Sequence, residues 1–156
     1  MRQFRHPGTG PELVERIRRF GADNPQLARK ESGGGLAAWF VSNCASDSDR
    51  ESVVGGLRSA GLTVDVYGRG SCSDPGRQCE QNCLQLLNTT YKFYLAFENS
   101  ICADYVTEKF FKVLPYNVIP VVLNGANMSS IAPPNSYIDV KDFISIKGMC
   151  KYNKLL

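Results

Sequence analysis

The sequence lacks the features that mark several common enzyme classes. Its 156 residues include one histidine, His6, in a segment predicted to be poorly folded, so a Ser-His-Asp triad is not expected. Neither G-x-G-x-x-G nor G-x-x-x-x-G-K-S/T occurs, which disfavours dinucleotide oxidoreductases and P-loop enzymes. No stretch approaches about 20 consecutive apolar residues, and the amino terminus lacks the apolar core of a signal peptide. We therefore expect no membrane span in this chain.

The charge is nearly balanced, with 18 basic and 15 acidic residues and a formal net charge of +3. The basic residues do not gather into a long block, so nucleic acid is not expected as a partner. A hydrophobic fraction of 43% and a charged fraction of 21% are ordinary for a globular protein. The length is sufficient for one domain with its own core.

The six cysteines are more than a cytosolic domain of this size usually carries, and they indicate disulfides in an oxidising compartment. Cys79 and Cys83 have the spacing of half a zinc site, but no second close pair and no nearby histidine completes it. The tripeptides that begin at Asn88 and Asn127 are N-glycosylation sequons, which agree with such a compartment.

Short apolar runs alternate with helical patterns along most of the chain. Strands are predicted at Leu36–Val41, Leu62–Tyr67, Tyr91–Phe97, Val118–Leu123 and Tyr137–Val140. Helices are predicted at Asp49–Ala60, Cys79–Leu87 and Tyr105–Leu114. Because several strands are apolar on both faces and helices separate them, the pattern predicts an α/β fold. We expect a doubly wound, Rossmann-like parallel sheet with flanking helices.

The chain is predicted to form one domain between two divergent ends. Residues 1–35 finish in a Gly-rich breaker and are expected to be a flexible tail, with one or two helical turns around Glu12–Phe20. Residues 36–143 contain every predicted strand and form the domain. Residues 144–156 are expected to be a second, divergent tail.

Polar residues follow two of the predicted strands at the point where each strand ends. One loop, Ser42–Arg50, follows the first strand, and the other, Glu98–Lys109, follows the third. Ligands of open parallel sheets bind beyond the carboxyl ends of the strands, so both loops are expected to reach one crevice. Asp104 is the predicted N-cap of the helix that begins at Tyr105.

The residue types in these loops suit a nucleoside diphosphate. Lys109 and Arg50 can offset the charge of phosphate groups, and Arg50 can do so with a planar fork of donors. The carboxylate of Glu108 suits the two hydroxyls of a ribose. The alternative is that Glu108 and Lys109 are ordinary solvated helix residues, and the residue types alone do not decide between the two.

Four segments resemble a known family. "AAWFVSNC" followed by Arg50, "VDVYG", "YKFYLAFENSICADYVTEKFF" and "IPVVLNG" with "APPNSYIDVKDF" closely resemble the donor-binding half of the eukaryotic α1,3-fucosyltransferases. The combination of FENS and DYVTEK at this spacing is highly specific. The resemblance implies the carboxyl-terminal Rossmann-like lobe of a two-lobed transferase of the GT-B type.

The resemblance also implies roles for individual residues. Arg50 and Lys109 would neutralise the diphosphate of GDP-fucose, and Glu108 would hold the ribose hydroxyls. Asn99 and Tyr105 would line the same pocket. The residues assigned to donor binding are Arg50, Glu98, Asn99, Tyr105, Glu108 and Lys109, with Glu98 placed either near the fucose or as a residue that shapes the loop.

The implied reaction moves L-fucose, with inversion, from GDP-β-L-fucose to the 3-hydroxyl of N-acetylglucosamine in a glycan. Cationic side chains support the departure of the diphosphate, so no obligatory metal is expected. A carboxylate must deprotonate the acceptor hydroxyl, and in the family this general base belongs to the amino-terminal lobe. The family works in the membrane of the Golgi cisternae, and its members are glycoproteins.

The ends of the chain depart from the family pattern. The segments expected before "AAWFVSNC", which are a membrane anchor, a stem and an acceptor lobe, are replaced by unrelated residues. Two further interpretations therefore remain open beside an active fucosyltransferase. The chain is either a truncated remnant or isoform that binds the nucleotide sugar without turnover, or a disulfide-bearing secreted module that shares only the fold.

Overall fold

A computed structural model gives the fold and describes residues 9–29, 35–68, 73–78 and 82–144. Most of the predicted tail 144–156 lies outside the described residues, as do two parts of the predicted tail 1–35. The strands are β1 (Ala37–Val41), β2 (Val64–Gly68), β3 (Phe93–Phe97), β4 (Ile119–Leu123) and β5 (Ile138–Asp139).

All five strands form one parallel sheet with the order β2-β1-β3-β4-β5. This order is one of the two common arrangements of doubly wound folds, with the topological switch point between β1 and β3. The predicted α/β fold with a Rossmann-like parallel sheet is confirmed. Each observed strand begins or ends within about two residues of its predicted bounds.

The helices alternate with the strands. The α-helices of the described residues are α1 (Thr9–Ala22), α2 (Arg50–Ser59), α3 (Leu86–Thr89) and α4 (Glu108–Phe111). Short 3₁₀ helices occupy Pro25–Arg29, Cys83–Gln85, Met128–Ser130 and Val140–Asp142. The described part of the predicted helix Cys79–Leu87 is thus a 3₁₀ turn that continues directly into α3. None of the described helices is long and apolar enough to cross a bilayer.

Both faces of the sheet are covered, because side chains of a strand alternate between faces. Leu95 of β3 packs in one core with Ile17 of α1 and Leu57 of α2. Its neighbour Tyr94 packs in the other core, which includes Phe110 of α4. The fully buried β3 therefore separates a face covered by α1 and α2 from a face covered by α3 and α4.

The structure corrects the expected flexible tail at its helical part. Residues 9–22 form α1, a helix of 14 residues rather than one or two turns. Leu13, Val14 and Ile17 are at most 1% exposed and belong to the core shared with α2. Their spacing of three or four residues gives the helix one apolar stripe, and burial of that stripe on the sheet stabilises the helix.

The helix predicted at Tyr105–Leu114 is also corrected. The α-helix is limited to α4, its N-cap is Thr107, and Asp104 lies in a preceding turn with φ 58°. That turn is closed by a hydrogen bond from the Tyr105 amide to the Cys102 carbonyl at 3.1 Å. Three residues separate Asp104 from the first helical residue, Glu108, so Asp104 belongs to the turn and is too far from α4 to cap it.

Three cysteines of the described residues, Cys44, Cys83 and Cys102, are disulfide-bonded. Two of them lie in the loops that follow β1 and β3. Disulfides restrict the unfolded chain and hold loops that a small core cannot order alone. The expected use of cysteine for disulfides therefore agrees with the fold, and each of the two loops at the switch point contains a disulfide-bonded cysteine.

Candidate functional site

The loops after β1 and β3 meet at the carboxyl edge of the sheet. The Ser48 amide donates to the carbonyl of Asn99 at 2.9 Å, and the Ser48 hydroxyl donates to the carbonyl of Glu98 at 2.6 Å. The strand order makes this contact possible, because β1 and β3 are neighbours whose connections leave to opposite faces. The candidate site therefore lies at the switch point, where ligands of doubly wound sheets bind.

Arg50 is the first residue of α2 and is only 2% exposed. Its two terminal nitrogens donate to the carbonyl of Phe97 and to the carbonyl of Asn43, each at 2.8 Å. Its guanidinium carbon lies 5.3 Å from the ring centre of Trp39. Burial lowers the pKa of the guanidinium, and the nearby Glu51 carboxylate opposes that shift. Arg50 thus joins the end of β3 to the loop after β1.

Glu98 is 1% exposed and holds the loop after β3. Its carboxylate accepts hydrogen bonds from the amide and from the hydroxyl of Thr107, both at 2.8 Å. It also forms an ion pair with the ammonium of Lys109 at 3.1 Å, and that ammonium donates to the Thr107 hydroxyl at 3.0 Å. These contacts are those of a residue that shapes the loop and fixes the position of Lys109.

The two predicted phosphate-binding cations approach the same strand end from opposite faces of the sheet. Arg50 reaches the carbonyl of Phe97 from the face covered by α2. Lys109 reaches the carboxylate of Glu98 from the face covered by α4. Because Phe97 and Glu98 are consecutive, both positive charges lie at the carboxyl end of β3.

Glu108 is the most exposed of the predicted site residues whose side chains form ion pairs. Its side chain is 70% exposed, and one carboxylate oxygen lies 3.5 Å from the Lys109 ammonium. Partial burial raises the pKa of Glu108, but the charge of Lys109 and nearby hydrogen bonds outweigh that effect and hold it below its ordinary value. Glu108 is therefore an ionised acceptor directed to solvent, as a diol-binding carboxylate must be.

The remaining predicted residues lie in the turn between β3 and α4. Tyr105 is 36% exposed and precedes the helix instead of belonging to it. The amide oxygen of Asn99 is buried and accepts no hydrogen bond from any described residue. A buried carbonyl oxygen without a donor is unfavourable, so Asn99 presents an acceptor that a bound group could satisfy.

Two residues that hold the site together, Ser48 and Thr107, were not predicted from the sequence. Ser48 ties one loop to the other, and Thr107 occupies the N-cap position of α4, where its hydroxyl links Glu98 to Lys109. Thr107 carried a usable signal, since threonine directly before the first helical glutamate is a common N-cap. Gly125 brings in a third loop, because a Cβ atom there would overlap the backbone of Cys102.

The two predicted glycosylation sites are on the surface. Asn88 lies in α3, and its side-chain oxygen accepts from the Asn117 amide at 2.9 Å. Asn127 precedes a 3₁₀ helix, and its side-chain oxygen accepts from the Ser129 hydroxyl of the same sequon at 2.8 Å. Both asparagines are exposed, so neither is hindered by burial.

Comparison with known proteins identifies the family. The chain is 48% identical over 120 residues to Alpha-(1,3)-fucosyltransferase C of Drosophila melanogaster, covering 77% of this chain and 28% of that protein. A crystal structure of an α1,3-fucosyltransferase superposes with a TM-score of 0.59 and 27% identity, over 80% of this chain and 36% of that one.

A crystal structure of an α1,3-fucosyltransferase with GDP-fucose superposes with a TM-score of 0.52 over 92% of this chain and 40% of that one, and at 23% identity it supports the fold alone. The family model described as the C-terminal part of glycosyltransferase family 10 (fucosyltransferase) matches residues 29–156. The chain therefore belongs to glycosyltransferase family 10, the fucosyltransferases.

Proposed function

We propose that the chain binds GDP-fucose and is the donor-binding part of an α1,3-fucosyltransferase. The reaction proposed for the whole enzyme is the inverting transfer of L-fucose to the 3-hydroxyl of N-acetylglucosamine in a glycan. The observation that carries the proposal is the convergence of Arg50 and Lys109 on the carboxyl end of β3. The family and the relative's name support fucosyl transfer, and the matched structure of an α1,3-fucosyltransferase with GDP-fucose agrees with this choice of donor.

The proposed roles follow from the charges at this edge. Lys109 and Arg50 offset the negative charge that builds on the diphosphate as the bond to fucose breaks. The exposed carboxylate of Glu108 accepts hydrogen bonds from the ribose hydroxyls. Asn99 and Tyr105 line the pocket between the two loops. Each terminal nitrogen of Arg50 donates to one carbonyl and carries a second hydrogen, and its buried ε nitrogen donates to no described residue, so the guanidinium keeps donors for a phosphate oxygen.

Buried Glu98 has a supporting role in this proposal. It holds Lys109 in place before the donor arrives, at the cost of competing with phosphate for the ammonium. The lysine is 19% exposed, so its charge remains accessible from the crevice. The proposal needs no metal ion, since the cations named above supply the positive charge that a metal would provide.

The general base that deprotonates the acceptor is proposed to lie in another lobe. The chain spans 28% of the length of the Drosophila relative. We therefore expect this chain alone to transfer little or no fucose. The alternative function, a nucleotide-sugar-binding protein without turnover, shares donor binding and differs only in transfer. A Golgi location, attachment to the Golgi membrane and N-glycosylation at Asn88 or Asn127 complete the proposal.

A calorimetric titration with GDP tests donor binding. We expect the wild-type chain to bind, and Lys109→Ala to weaken binding by about 1.5–3 kcal/mol, which is typical of a charge-assisted hydrogen bond. Lys92→Ala is the matched control, because Lys92 directly precedes β3 at the opposite, amino-terminal end of that strand. Near-uv circular dichroism of each variant verifies folding.

A double variant separates binding from stability. Lys109→Ala leaves the buried Glu98 carboxylate without its cation, whereas Glu98→Gln with Lys109→Met removes both charges together. Both variants should bind GDP more weakly than the wild-type chain. Wild-type protein that fails to bind GDP, or variants that bind as tightly, would contradict the proposal. Fucosylation of a glycan by this chain alone, reduced by Lys109→Ala, would contradict the expected lack of transfer.

A further inference from the structure

The cations that the proposed function uses are already bound to protein groups. Both terminal nitrogens of Arg50 donate to backbone carbonyls, and the Lys109 ammonium is paired with Glu98 and hydrogen-bonded to Thr107. These protein acceptors compete with phosphate for the two positive charges. A nearby cation without such an acceptor would bind an anion with less competition.

Lys112 is such a cation. It is the residue directly after α4, and its amide donates to the carbonyl of Glu108 at 2.8 Å. Lys112 therefore lies one helical turn after Glu108. Within the described part of the chain, its ammonium forms no hydrogen bond or ion pair. The ammonium lies over the ring of Tyr94, whose centre is 6.0 Å from the nitrogen.

The surroundings of Lys112 are those of the candidate site. The side chain is about half buried, and that burial lowers the pKa of its ammonium. The charge of Glu108 opposes this shift, that of Lys109 adds to it, and that of Glu98 opposes it. Tyr94, under the ammonium, is 1% exposed and interacts electrostatically with Arg50, Glu108 and Glu98. Lys112 is therefore in the same electrostatic cluster as the proposed donor-binding residues, and its desolvated charge is compensated only in part.

We infer that Lys112 is a further donor-binding residue, whose ammonium contacts the α-phosphate of the nucleotide. This inference rests on the proposed function, because the proposed contact between Glu108 and the ribose sets the orientation of the nucleotide. The α-phosphate is bonded to the ribose that Glu108 is proposed to hold, and Lys112 lies one turn from Glu108 on the same short segment. The more distant β-phosphate is left to Lys109 and Arg50, where the bond to fucose breaks.

The test compares three ligands that differ only in phosphate number. Lys112→Met keeps an unbranched side chain over Tyr94 and removes the charge, and Lys112→Arg keeps the charge. GDP and GMP are titrated by calorimetry, and guanosine is measured by saturation-transfer NMR. We expect Lys112→Met to weaken the binding of GDP and of GMP by the same factor, about 10- to 100-fold. The affinity for guanosine should stay within about twofold of the wild-type value. Lys112→Arg should restore most of the loss, and Lys92→Met should bind all three like the wild type.

Each other result overturns the inference. Unchanged GDP and GMP binding by folded Lys112→Met would show that the ammonium does not contact phosphate. A loss for GDP without a loss for GMP would assign Lys112 to the β-phosphate instead. An equal loss for guanosine would indicate a structural effect on the pocket. If the wild-type chain binds no GDP, the proposed function itself fails. This outcome differs from a failure of the inference alone, in which both the wild-type chain and Lys112→Met bind GDP.

Discussion

The buried carboxylate of Glu98 allows a quantitative test of how the loop after β3 is held. Glu98→Gln keeps the size of the side chain and an oxygen that can accept from the Thr107 amide, but it removes the charge that pairs with Lys109 at 3.1 Å. Removing one partner of a buried ion pair costs about 3–5 kcal/mol. Because the Lys109 side chain is 19% exposed, we expect the lower end, about 3 kcal/mol.

Glu108→Gln is the matched control for this prediction. Glu108 pairs with the same lysine at 3.5 Å, but its side chain is 70% exposed, and exposed ion pairs contribute about 0–1 kcal/mol. The free energy of unfolding of both variants is measured by urea denaturation with the disulfides intact. Equal losses for the two variants, or a Glu98→Gln variant as stable as the wild type, would refute the reasoning that burial makes the Glu98 pair strong.

Two further predictions concern α1, which is longer than the one or two turns expected, and two glycines with different surroundings. Ile17→Ala should lower the free energy of unfolding by about 2–5 kcal/mol, as for a buried core residue, and a change below about 0.5 kcal/mol would indicate that α1 is a dispensable tail. Gly125→Ala should lower it by more than about 2 kcal/mol because the added Cβ overlaps Cys102, whereas Gly55→Ala in α2, where nothing lies within 4 Å, should raise it by about 0.5–1 kcal/mol. Thermal or urea unfolding of the purified variants measures all three, and a Gly125→Ala variant as stable as Gly55→Ala would contradict the overlap.

Much of the fold could be predicted because its strands carry a strong local signal. Runs such as "LAAWFV" and "VIPVVL" are apolar on both faces and bounded by polar or turn residues, which is typical of buried parallel strands. The rule that ligands bind beyond the carboxyl ends of such strands then identified both loops of the candidate site. The structure brings those loops into contact through Ser48, as the rule requires.

The errors arose where long-range contacts outweigh local preference. The first helix lies in a segment that was predicted to be a flexible tail, and no local pattern indicated that its apolar stripe would be covered by α2 and the sheet. The start of α4 was placed too early because Asp104 is a good cap by residue type. Thr107 occupies the N-cap position instead, and it is held there by Glu98, which follows the preceding strand and accepts from the Thr107 amide.

The sequence by itself determined the parallel sheet, the edge at which a ligand can bind and, through its motifs, the family. Only the tertiary structure decided how the charges at that edge are used. Arg50 is buried, and its guanidinium donates to the carbonyl at the end of β3. Lys109 is held in position by its ion pair with the buried carboxylate of Glu98. Residue types specify which charges are present, but their exposure and partners depend on how distant segments pack, and local patterns do not encode that packing.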